Sequence, residues 1–163
     1  MTIKRLATTK PGSRYWLLAL LVLVLQACSD SEESPEAQIR QFIEQAVEAG
    51  EARSVDGLTE LLDKDYIDLH GNNRKRTGGL LRVYFIQHKN IHLFTRIDEI
   101  EILSDNQASV SMHVAMAGTV ISDIEALAGL RAQIYRFELQ LVKQDEWQLR
   151  HASWAPASIG ALQ

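Results

Sequence analysis

"IHLFTRIDEIEIL", residues 91–103, decides the fold, because the period of the apolar residues changes there. Upstream, apolar side chains recur every three to four residues, as on a helix face; from Ile91 they recur every two, as on a strand with one buried face. Ile91, Leu93, Thr95 and Ile97 hold one parity, and Ile100 and Ile102 hold the other. A parity switch inside one strand predicts a β-bulge near Asp98 and Glu99.

Three further segments alternate in the same way. They are "QASVSMHVAMAG" (Val110, Met112, Val114, Met116), "RAQIYRFELQLVKQ" (Tyr135, Phe137, Leu139, Leu141) and "EWQLRHASW" (Trp147, Leu149, His151). "KQDE" joins the last two as a hairpin turn. Such strands predict an antiparallel sheet with one wet face and one buried face.

Before the sheet, Ser34-Pro35-Glu36 has the N-cap, N1 and acidic first turn of a helix. Ile39, Phe42, Ile43, Ala46 and Val47 form its apolar stripe, and Gly50 is the expected stop. A second helix is expected from Ser54, carrying Val55, Leu58, Leu61 and Leu62. "DYIDLHGNN" reads as a short strand and turn, and "RKRTGGLLRVYFIQHKN" as a third helix with Leu80, Leu81, Tyr84, Phe85 and His88 on its apolar side. Between the second and third long strands, "TVISDIEALAGL" has capping-box spacing at Ser122–Glu125. Its Ile121, Ile124, Leu127 and Leu130 suit either a lip over a pocket or a contact surface, or fold back onto the core.

The N-terminus has a different character. Residues 1–27 carry four basic residues and no acid, and "YWLLALLVLVL" is an apolar run of 11 residues. That is too short for a membrane-spanning helix of ~20 residues and fits the core of a secretory signal. From residue 28 onward there are 13 Lys and Arg against 21 Asp and Glu, whereas the whole chain is at −4. So acidic a mature chain disfavours nucleic acid as a partner, and also broad electrostatic attachment to anionic lipid.

Leu25, Ala27 and Cys28 resemble the lipobox of a bacterial lipoprotein signal peptide, with Gln26 as its one departure. The resemblance implies cleavage after residue 27 and lipidation of Cys28 by diacylglycerol and an N-acyl chain such as palmitate. Several acyl chains anchor stably where one does not. Residues 28–36 then form an acidic tether, 37–157 the domain and 158–163 a C-terminal tail. The implied location is the bacterial cell envelope, membrane-anchored and facing the periplasm, with Ser29 after the cysteine favouring the outer over the inner membrane.

The order of elements resembles the nuclear transport factor 2-like fold, the cystatin-like cone that includes SnoaL-like cyclases and ketosteroid isomerase. The residues that carry the likeness are the first helix, "Leu-x-x-Leu-Leu" in the second, "DYIDLHG" before the third, and "EWQLRHASW" as the closing strand. The resemblance implies an α+β domain, a curved antiparallel sheet wrapped around three N-terminal helices, with a pocket at its wide end.

Strand and helix parity nominates His151, Tyr84, His88, Thr95, Tyr66, Asp68 and His70 as residues that see such a pocket. A His near a Tyr or Asp suits proton transfer; the plainer alternative is that these groups fill the core with their polar atoms hydrogen-bonded. No catalytic motif stands out, no cofactor is expected, and His88 and His92 fall on different elements, so no metal site is expected. The expected function is a lipid-anchored binding module for a small apolar or amphipathic ligand or an envelope partner protein, with a second copy docking through the sheet as a further partner. The alternative is an isomerase, cyclase or dehydratase using a His with Tyr or Asp.

Overall fold

The computed structural model describes residues 33–120 and 132–162. The chain divides into two compact units, Met1–Glu33 and Ser34–Gln163. Every helix and strand of the described residues belongs to the second. Cys28 and the segment holding Ile121, Ile124, Leu127 and Leu130 lie outside the described residues.

Helix α1 (Pro35–Glu51) starts where its signals place it: the Ser34 side chain accepts from Ala37 N–H at 3.2 Å, and Pro35 occupies the first turn. The helix thus begins inside the segment assigned to the tether. It buries Ile39, Phe42 and Ile43. Gly50 does not end it. A Cβ there would sit 3.0 Å from Leu93 Cδ1, so glycine allows the helix to approach the sheet closely. The true stop is a Schellman turn. Arg53 takes the left-handed conformation, φ 55°, with Arg53 N–H on Gly50 O at 3.0 Å and Ser54 N–H on Ala49 O at 2.8 Å.

Helix α2 (Val55–Glu60) is capped by Ser54, and strand β1 (Leu62–Asp68) follows at once, so Leu62 belongs to the strand rather than to the helix. Helix α3 (Arg74–Gln87) is capped by Asn73, whose side chain accepts from Arg76 N–H at 3.0 Å. The long strands are β2 (His92–Ser104), β3 (Gln107–Ala117), β4 (Gln133–Lys143) and β5 (Trp147–Pro156). The sheet order is β1-β5-β4-β3-β2, with β1 parallel to β5 and the other pairs antiparallel. Its main core joins Ile39, Phe42 and Ile43 of α1 to Val110, Met112, Leu139 and Leu141 of the sheet. The domain is therefore α+β, an open curved sheet with helices against one face.

Two of the sheet's register shifts interrupt the apolar alternation of the long strands. The β2–β3 register shifts between Ile97 and Glu99, at the expected place. The second lies in β5: Gln140 pairs with His151 while Leu141 pairs with Leu149, leaving Arg150 as the extra residue. Arg150 reaches β1, with Nε 3.1 Å from the fully buried Asp63 and Nη1 3.0 Å from Asp65.

A 3₁₀ turn (Ile159–Leu162) buries Leu162 in a second cluster with Ala115, packed by Phe94, Ala132 and Ile134.

Candidate functional site

The concave face of the sheet and the three helices enclose a cavity of about 690 Å³. Its walls are almost wholly apolar: Phe42, Leu61, Met112, Val114, Phe137 and Trp154 represent the helix, sheet and closing-strand contributions. Alternation on β2 and β3 explains why Leu93 and Thr95, and Met112, Val114 and Met116, all point inward.

Half of the polar lining lies on β1 and the turn after it; Thr77, Tyr84 and Gln87 of α3 and Thr95 of β2 supply the rest. Tyr66, Asp68 and His70 share the cavity face, while Ile67 and Leu69 are exposed on the other, as parity predicts. Asp68 is buried and its carboxylate is fully engaged. Oδ1 accepts from His70 N–H at 2.9 Å and Asn72 N–H at 2.8 Å; Oδ2 accepts from Asn72 Nδ2 at 2.9 Å. Burial pushes this carboxyl up, but the Asn72 and His70 hydrogen bonds and the nearby His70 ring outweigh it and hold the group below the ordinary carboxylate value. Asp68 therefore stays ionised and braces the turn around Gly71, φ 76°. A carboxylate so held is a poor proton acceptor.

Tyr66 behaves in the opposite way. Burial, then the charge of Asp68, push its phenol up to about 12, with the Thr77 hydroxyl offsetting part of the rise. It remains a hydrogen-bond donor at neutral pH. Thr77 Oγ1 is buried with no protein partner at full hydrogen-bonding geometry, so Tyr66 and Thr77 present hydroxyls at the polar end of an apolar chamber. His70 stands exposed at the mouth, edge-on to Trp154 with ring centroids 5.4 Å apart. Tyr84 lines the cavity from α3, two turns beyond Thr77; burial, then Tyr135, raise its phenol.

Two nominated residues do not reach the cavity. His88 caps α3 from outside, stacked on Tyr84 at 4.0 Å with Nδ1 3.0 Å from Tyr84 O. His151 lies on the outer face, paired with Gln140 and the exposed Ile67. The Arg150 bulge reverses β5 after Leu149, so Ala152 and Trp154 turn inward where unbroken alternation predicts His151. Sequence parity accordingly missed Trp154, and it missed Thr77 and Asn72 because no period marks them.

On the back of the sheet the β2 bulge makes a second polar cluster. Asp98 Oδ1 accepts from Arg96 Nη2 at 2.7 Å, and Oδ2 lies 2.7 Å from Nδ1 of the buried His113. The His113 contact is short but bent away from hydrogen-bond geometry. Burial pushes the Asp98 carboxyl up; Arg96 and His113 outweigh it and hold the group below its ordinary value.

Solved structures with this architecture are numerous. One is a domain of unknown function with a cystatin-like fold from Nostoc punctiforme PCC 73102 (TM-score 0.58, 17% identity, 80% of each chain covered). Another is an NTF-2-like protein of unknown function from Shewanella oneidensis MR-1 (TM-score 0.54, 20% identity, 74% of this chain and 98% of that one). A third is a ketosteroid isomerase-like protein from Erwinia carotovora atroseptica SCRI1043 (TM-score 0.57, 13% identity, 80% and 99%). These likenesses establish the fold, the nuclear transport factor 2-like cone. Neither a family model nor a curated protein matches the sequence.

Proposed function

We propose that this chain is a lipid-anchored, periplasm-facing envelope lipoprotein whose cone domain holds one small neutral amphiphile. The observation that carries the ligand is the cavity: its volume suits a small molecule, its walls are apolar, and Tyr66, Asp68, His70, Asn72 and Thr77 give it a polar patch. The ligand's apolar body would lie against Phe42, Met112, Phe137 and Trp154, and its polar group would meet Tyr66 and Thr77. Among the described residues Asp68 is the only carboxylate in the lining, and no Lys or Arg lines it. A carboxylate ligand would face Asp68 with no strong counter-ion, so a neutral polar group is favoured.

Native mass spectrometry of the protein purified without detergent tests this. A bound small molecule lost in Tyr66→Phe/Thr77→Val supports the reading; an empty protein that also takes up no added long-chain alcohol rejects it. The anchor rests on Leu25, Ala27 and Cys28. Cys28→Ala should leave an unprocessed precursor that a fatty-acid probe does not label, and continued labelling would reject the anchor.

One observation favours a second reading, an isomerase, cyclase or dehydratase: Tyr66 and His70 share the cavity lining. With Asp68 engaged, His70 is the proton acceptor in this reading and Tyr66 the donor. It requires a turnover that His70→Ala abolishes while binding persists; unchanged turnover in that variant would rule it out.

A further inference from the structure

We infer that the face formed by the end of α1 and the outer side of α3 docks on an anionic phospholipid surface, bringing the cavity mouth to the membrane. Its centre is a shallow groove in which Arg53, Arg82 and Lys89 surround an apolar floor that includes Val55 and Phe85, with Ile86 on its edge. Among the described residues no carboxylate lines the groove, and none of the three cations forms an ion pair.

The neighbouring surface of α3 has the same character. The helix contains no acid in a mature chain that is strongly acidic overall. Lys75, Arg76 and Arg82 are exposed on it, and among them stand Leu80, Val83 and Ile86, 52%, 54% and 77% exposed. Cations interleaved with apolar side chains on one helix face are the composition of a helix that lies in the headgroup region. The cations meet anionic headgroups while the apolar residues enter the acyl boundary. Leu80 and Val83 also line the cavity, so the docking face continues into its mouth. An apolar ligand would then pass between bilayer and chamber without crossing water.

Arg53 supplies an independent indication. It occupies the left-handed position of a Schellman turn, where glycine is the low-energy choice. The chain keeps an arginine there, at the groove's edge. Strain retained at such a position is expected where the side chain has a task.

The test uses residues 29–163, since both core clusters of the described residues lie inside the compact unit Ser34–Gln163. This protein should float with vesicles of phosphatidylcholine mixed with phosphatidylglycerol and not with phosphatidylcholine alone. Each cation near such a surface contributes about fivefold in affinity, so Arg82→Gln/Lys89→Gln should bind roughly 25-fold more weakly. Arg53→Gly should bind about fivefold more weakly and yet unfold at a higher temperature, which separates lost docking from lost folding. Equal flotation with both vesicle types, or unchanged binding in the double variant, overturns the inference. So does a dimer in sedimentation velocity that Ile86→Ser abolishes, which would give this face to a second copy. None of these outcomes depends on whether the cavity is filled.

Discussion

The bulges of β2 and β5 do the same thing to the chain and leave different traces in the sequence. In β2 both sides of the bulge carry isoleucines, so Ile97 and Ile100 register the change of parity directly. In β5 the residues after Leu149 are Arg, His, Ala and Ser before Trp154, and that run fits either parity. What fixes the β5 bulge is remote: Arg150 reaches across to Asp63 and Asp65 of β1. The β2 bulge is held from close by, by Arg96 on its own strand and by His113 on the adjacent one. A bulge supported by short polar side chains nearby is legible; one supported by a strand more than eighty residues away is not.

Breaking the β5 bulge should have the largest effect. Deleting Arg150 would remove the extra residue and run Leu149 into His151 in regular alternation, leaving His151 outward and Trp154 inward but taking away both contacts to β1. The fully buried Asp63 then loses its cation and the strand its local twist, so urea unfolding should show a loss of about 3 kcal/mol. Arg150→Ala keeps the chain length but leaves Asp63 short of a cation. The cost should be about 2 kcal/mol, moderated because Arg150 is 41% exposed while Asp63 is fully buried.

The β2 bulge should be the milder case. Asp98→Asn should cost about 1 kcal/mol at neutral pH. Asp98 is held below the ordinary carboxylate value of 3.8, so its contribution is complete above that value and disappears as pH falls through the lower folded-state value. The gap in melting temperature between wild type and Asp98→Asn should therefore narrow below about pH 4. A gap that widens below that pH would contradict the ion pair of Asp98 with Arg96. At the small end, His151→Ala should change stability by no more than about 0.5 kcal/mol and leave ligand uptake untouched, whereas Trp154→Ala should impair both.

The same contrast separates what was readable in the sequence from what was not. The helix N-caps at Ser34 and Ser54, the alternation of β2 to β4 and the shared face of Tyr66, Asp68 and His70 follow from local periodicity, and the structure has them all. Gly50 misled because its role is contact with Leu93, forty-three residues on, rather than chain reversal. The placement of Leu162 in a core cluster is likewise tertiary, with nothing in "SIGALQ" to announce it. The polar end of the cavity was half legible: Tyr66 came from strand parity, while Thr77 comes from a helix whose apolar stripe is weak.

A cavity built for a neutral amphiphile is tested most directly by a fluorescence titration of residues 29–163 with a long-chain alcohol and with the fatty acid of the same chain length. Trp154 lines the cavity and Trp147 does not, so Trp154→Phe serves as the control that assigns the signal. The alcohol should give a saturable quenching or shift that is absent in Trp154→Phe. The fatty acid should bind at least about tenfold more weakly, because Asp68 repels its carboxylate. No saturable response to the alcohol, or equal affinity for the two, would contradict such a cavity.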